Sequence, residues 1–325
     1  MVIENAKSKS VSMKLPYSEQ QMISHLKTRV SFNDSEQLFA NAFLRDNSYY
    51  RFSIFPKLLP PASAGTYSFT DSINLFYFDE FIKERLNTFL NYIEKRLKST
   101  VNHYFCSNYS DINHYVSQCY LDPQIYKSIP GRNYCVRMIE ERIDKSKTPA
   151  MIHHKDKPAS GDKYIPLWLI LEEFTFGEFN TFVKNLKSYH VKNWTREYFA
   201  PDSKNNQIYP VQSMTSWLEC LRIIRNTLAH HGRIYSISIP FQPVVLNSDQ
   251  TLLFSNLVDQ KKRLYGALYV IKKLLNQDSN YALKNKWNIF LDDLLKEIEK
   301  NRLILEPYDR LGFDDDWFKN LHINI

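Results

Sequence analysis

The chain predicts an all-helical fold, on three observations. Seven glycines in 325 residues are too few for the nucleotide loops of Rossmann or phosphate-loop enzymes, where glycine permits close backbone approach. The 21 tyrosines and 21 phenylalanines suit helices packed through aromatic rings. Apolar residues also recur at spacings of three and four, most clearly at Ile82, Leu86, Phe89, Ile93, Leu97, Val101 and Tyr104, which is the helical period. At 43% hydrophobic residues the chain can bury one large core or two smaller ones and is too apolar for disorder.

In chain order, residues 1–13 read as a flexible polar arm and residues 14–70 as an N-terminal helical and aromatic lobe. Residues 71–325 read as the main helical domain. Pro16 and Ser18 open a helix over Tyr17–Arg29, and Asn33 or Asp34 caps a second over Ser35–Arg45. The β-prone aromatic run Tyr49–Phe55 leads into Pro56 and Pro60-Pro61, so a loop or short strand is expected there. A long amphipathic helix follows from about Ser72 to Phe105, then shorter ones near Asp111–Cys119 and Tyr134–Lys145. The stretch Ser146–Lys163, rich in lysine, proline and glycine, is expected to be a mobile loop. One helix is expected over Pro166–Lys187.

Met214–Gly232 reads as a helix with Leu218, Leu221, Ile224 and Leu228 as its buried stripe and Gly232 as its stop. Ile234–Phe254, with β-branched residues and little helical period, suggests a short β-hairpin. Leu257–Leu275 and Lys284–Leu305 return to helix, and a polar tail closes the chain.

Charge and cysteine content narrow the function classes. A net charge of +7 favours a polyanionic partner such as RNA. Cys106, Cys119, Cys135 and Cys220 form no Cys-x-x-Cys pair, which argues against a zinc knuckle and a disulfide scaffold and for reduced thiols. The apolar window Ile165–Leu171 is soon followed by Glu172 and Glu173, and no apolar stretch stands behind the N-terminal lysines. The expectation is a cytoplasmic protein with neither signal peptide nor membrane span.

The strongest functional signal is Arg225-Asn226-Thr227-Leu228-Ala229-His230-His231-Gly232-Arg233. Arg222, Asn226 and His230 are spaced by four and share a helix face, with Arg225 and His231 beside them. Histidine moves protons near neutral pH, and arginine holds phosphate with a two-pronged fork. Together they can cleave a phosphodiester without a metal.

With those residues stands a set of further segments: LPYSEQQMISHLKTR, AFLRDNSYYRFSIF, FDEFIKERLNTFLNYIEKRL and IPLWLILEEFTFGEFNTFVKNL. The chain resembles the Abi-like (AbiD and AbiF) abortive-infection proteins, a branch of the HEPN superfamily of helical ribonucleases, over most of its length. The resemblance implies an all-α, HEPN-type helical bundle, dimeric, without metal or organic cofactor. It also implies endoribonuclease chemistry in phage defence or a toxin-antitoxin system. Arg225, Asn226 and His230 occupy the three motif positions and become the catalytic candidates, with His231, Arg233 and Arg222 supporting or contacting RNA. An antitoxin or a small non-coding RNA is the implied regulator. The family often has Trp-Asn where this chain has Tyr235-Ser236, a departure in the wall of the pocket. The alternatives are a non-catalytic RNA-binding module that carries a small RNA, and a structural defence sensor.

Other polar clusters read more plainly. His153-His154 beside Lys155 and Lys157 has no carboxylate or cysteine at ligand spacing and reads as a solvated loop. Asp314-Asp315-Asp316 before Trp317 reads as a helix N-terminus. One of Glu172 and Glu173 is expected to pair with Arg51 or Arg137, and Tyr49-Tyr50-Arg51 to belong to the core.

Overall fold

A computed structural model of the chain describes residues 16–61, 67–108, 117–156, 165–199, 210–247, 249 and 260–325. The expected arm at residues 1–13 and most of the helix expected over Asp111–Cys119 lie outside them. The fold is all-α. Among the described residues the only extended pairings are two isolated bridges, Ser31 with Ser68 and Tyr126 with Leu186. The chain divides into two compact units, residues 1–77 and 78–325.

In the first unit, α1 (Glu19–Lys27) and α2 (Asp34–Asp46) each begin with a capping box, Ser18 with Gln21 and Asn33 with Glu36. Each box satisfies orphan amides at a helix start. Tyr49–Phe55 is not a strand. It forms the short helix α3 (Tyr49–Phe52), followed by a 3-10 turn at Phe55–Lys57. Tyr49, Phe52 and Phe55 are all buried, and their spacing of three turns the rings inward only if the backbone is helical. Phe52 packs edge-on against Phe43 at 4.9 Å and Phe69 at 5.5 Å.

The long helix α4 (Phe69–Asn108) contributes most of its length to the second unit. There α5 (Ile129–Lys145), α6 (Pro149–Lys155), α7 (Leu167–Glu173), α8 (Phe176–Asn185), α9 (Ser188–Phe199) and α10 (Val211–Ala229) follow in order. The unit ends with α11 (Leu264–Asn276), α12 (Tyr281–Lys300) and α13 (Trp317–Leu321). Helix α11 packs on α10 at the centre, with Leu264–Ile271, Leu274 and Leu275 buried. Trp217 of α10 meets Tyr269 of α11 edge-on at 6.0 Å. No helix is long and apolar enough to cross a membrane among the described residues.

Four expectations are corrected here. Pro166–Lys187 is two helices, because Thr175 and Glu178 make a capping box that starts α8 anew after Phe174. Ser146–Lys163 is not all loop: Pro149 at a first-turn position starts α6, which carries His153 and His154, while 157–163 lie outside the described residues. The hairpin expected in Ile234–Phe254 is absent from its described part. Pro240 and Pro243 lack amide donors, and two of the remaining amides bond to helix side chains: Val244 N to Ser216 Oγ at 2.9 Å, Leu246 N to Tyr269 Oη at 3.2 Å. Glu173 pairs with neither expected arginine and accepts the hydroxyls of Ser146 (2.8 Å) and Thr148. Asp314–Asp316 do precede a helix, α13.

Candidate active site at the end of helix α10

Helix α10 buries Met214, Trp217, Leu218, Cys220, Leu221 and Ile224 and then rises to the surface. Leu228, expected in the buried stripe, is only half-buried, and Ala229, His230 and His231 are exposed. The helix stops one residue earlier than a glycine signal implies. The His230 amide donates to Asn226 O at 3.1 Å, His231 N to Leu228 O at 2.9 Å, and Gly232 N to Thr227 O at 2.6 Å. This is a Schellman motif whose left-handed residue is His231, at φ 52°. Gly232 is the next residue, and what it permits is close approach: a Cβ there would stand 2.8 Å from Thr227 Cγ2 and 3.0 Å from Thr227 O.

Of the motif residues, Arg225 is the one tied to another helix. Its Nε lies 3.4 Å from Glu94 Oε2 on α4, with the Arg225 side chain 36% exposed. Glu94 is also paired with Lys98 at 3.0 Å, and Lys98 Nζ donates to Phe174 O at the end of α7, 2.6 Å away. The guanidinium is therefore held at Nε, while its terminal nitrogens make no hydrogen bond among the described residues. Asn226 is half-buried beside it. The turn places His230 and His231 just past the helix, so the end of α10 gathers a fixed cation, an amide and two solvent-facing imidazoles.

Arg222 is engaged elsewhere. It donates to Glu219 at 2.6 Å, and Lys184 reaches the same carboxylate at 2.7 Å. The Arg222 hydrogen bond, aided by Lys184, holds Glu219 down at about 2 against the effect of burial. Arg233 donates to Tyr235 O. The chain leaving the motif is anchored by Asp79 of α4, fully buried, whose Oδ1 accepts from Ile234 N at 2.7 Å and Tyr235 N at 2.5 Å. Burial raises its carboxyl, against the pull of Lys83 and the two amides. Tyr235 is fully buried against Phe78.

Glu94 and Asp79 belong to no motif and are not among the residues the sequence points to. Their only linear signal is a lysine four positions on, Lys98 and Lys83, and that spacing alone describes any solvated helical ion pair.

A helical chain that brings Arg, Asn and His to one exposed helix end, braced from behind by a carboxylate, defines a class of all-α protein with a surface polar site. The family model described as Abi-like protein matches residues 42–236, from within α2 to just beyond the motif, and the chain belongs to this family. No curated protein and no solved structure matches it.

Proposed function

We propose that the chain is a metal-independent endoribonuclease of the HEPN type that acts in abortive infection, the phage defence for which its family is named. The observation that carries this reading is Arg225, held at Nε by Glu94, beside Asn226 and exposed His230 at the end of α10. In the reaction a ribose 2'-hydroxyl attacks the adjacent phosphorus and the P–O5' bond breaks. A base takes the 2' proton and an acid gives one to the departing 5' oxygen, leaving a 2',3'-cyclic phosphate and a 5'-hydroxyl. His230 relays protons, Arg225 neutralises charge on the pentavalent phosphorus, and Asn226 orients the phosphate or the imidazole. Two steps that need a base and an acid favour two motifs facing each other in a homodimer, with His231 and Arg233 beside the strand. An antitoxin or a small non-coding RNA restrains the activity in trans.

The test is cleavage of structured and total RNA in excess chelator, with product ends identified. Cyclic-phosphate products are expected from the wild type. His230→Ala should lose about 10² to 10⁴ of the rate, the usual worth of a positioned proton-transfer group, and Arg225→Ala about 10² to 10³, the usual worth of a group that stabilises transition-state charge. If all three proteins bind RNA equally and none cuts it, the chain is an RNA-binding module instead. Persistence of full activity in a strictly monomeric variant would remove the paired site.

A further inference from the structure

The turn that follows the motif, Tyr235-Ser236-Ile237, draws in three arginines from three parts of the chain. Arg233 donates to Tyr235 O. Arg263, immediately before α11, points Nη1 at Ser236 O (3.5 Å) and Ile237 O (3.3 Å). Arg310 is joined through Glu306, whose amide donates to Tyr235 Oη at 3.0 Å and whose carboxylate meets Arg310 Nε at 2.9 Å. All three side chains are half-buried.

Among the described residues, acids match their charges poorly. Main-chain carbonyls orient the Arg233 and Arg263 forks without neutralising them, and Glu306 balances one charge of the three. Asp79 is already engaged by Lys83 and two amides. Of the acidic run further on, Asp314 accepts from Gln260 and Asp315 from Tyr308. Burial lowers the Arg233 guanidinium; Asp79 opposes that effect, and Arg310 and Arg263, each to a smaller degree than Asp79, add to it. The position of Arg263 is built in. Gly312, at φ 77°, packs so closely that a Cβ there would stand 2.8 Å from Arg263 Cβ. Planar, weakly hydrated forks gathered with surplus charge are the arrangement that takes phosphate oxygens. Arg233 is three residues past His230, at most about 11 Å along the chain.

We propose that Arg233, Arg263 and Arg310 form a second phosphate subsite that holds a backbone phosphate of the RNA strand next to the one reacting at His230. This rests on the ribonuclease reading of that helix end. Two of its three arginines lie beyond the 42–236 match, so this subsite is built largely by the part of the chain that follows the family's common region.

The test is binding of a labelled single-stranded RNA to the uncleaving His230→Ala protein, with and without Arg263→Gln and Arg310→Gln together, across roughly 50 to 200 mM salt. The expected result is about tenfold weaker binding, the value of one charge-assisted hydrogen bond. The slope of log affinity on log salt should fall by about 0.7 for each single-strand phosphate that the variant no longer neutralises. Thermal unfolding checks that the double variant is folded. If it is not, Arg310→Gln alone, which removes only the pair with Glu306, gives the answer. A folded variant with unchanged affinity and slope overturns the subsite. Wild-type cleavage is scored separately: no cutting but a reduced slope removes the ribonuclease and leaves the phosphate site, whereas cutting with an unchanged slope does the reverse.

Discussion

Arg225 meets Glu94 through Nε alone, at 3.4 Å, and that choice of atom has a chemical effect. A carboxylate laid across both terminal nitrogens would occupy the positions a phosphate needs, whereas one at Nε fixes the plane of the fork and leaves its tip open. Glu94→Gln keeps the shape and removes the charge. It should lower cleavage by about tenfold to a hundredfold through loss of orientation, while Glu94→Asp retains part of the rate; equal rates for wild type and Glu94→Gln would separate Glu94 from the site. Arg225, Asn226 and His230 were legible in sequence because their chemistry and spacing sit within six residues. Glu94 was not, because its partner is 131 positions away and only the fold brings them together.

The end of α10 also makes an unusual use of a non-glycine residue. A left-handed backbone costs an L residue roughly 1 to 2 kcal/mol, and His231 bears that cost at φ 52° although glycine stands next in the chain. His231→Gly should therefore raise stability by up to about 1 kcal/mol, the added unfolded-state entropy of glycine taking back part of the gain. Gly232→Ala should cost about 1 to 3 kcal/mol, because its Cβ would press on the Thr227 side chain and carbonyl. Chemical unfolding of both variants checks the pair, and the opposite order of stability would contradict the turn. Helix starts were legible where an N-cap residue and a reciprocal Glu or Gln stand together, as at Ser18 and Asn33. Thr175 and Glu178 form the same signal, but there the apolar run on both sides concealed a break. The missing hairpin had no such cue, since Val244 and Leu246 settle against Ser216 and Tyr269, partners set by tertiary packing.

Taken whole, the protein carries a buried base that links its stability to pH. His190 is buried with Nδ1 at 2.9 Å from Tyr104 Oη. Burial, assisted by Lys187 and opposed by Asp122, lowers its imidazole from 6.5 to about 4. The unfolded chain therefore binds the proton more readily between those values, so stability is full above about pH 6.5 and declines as pH falls toward 4. Glu219 acts in a lower window, stabilising above its unfolded value of 4.5 and losing that contribution as pH falls toward about 2. Urea midpoints from pH 8 to 4 should fall on the acid side, and His190→Gln should flatten the part above pH 4.5. An unchanged profile in that variant would assign the dependence to other groups. The helical class was legible from composition and period. The division at residue 77 falls seven positions past the boundary expected at residue 70, inside helix α4, where no glycine or proline stands to mark it.

Asp79 and Glu94 stand fifteen residues apart on α4, about 22 Å along its axis. One grips the chain after the motif, the other the motif's arginine. A substitution at 79 or 94, remote in sequence from Arg225–Arg233, is therefore expected to disturb the same helix end as a substitution within the motif itself.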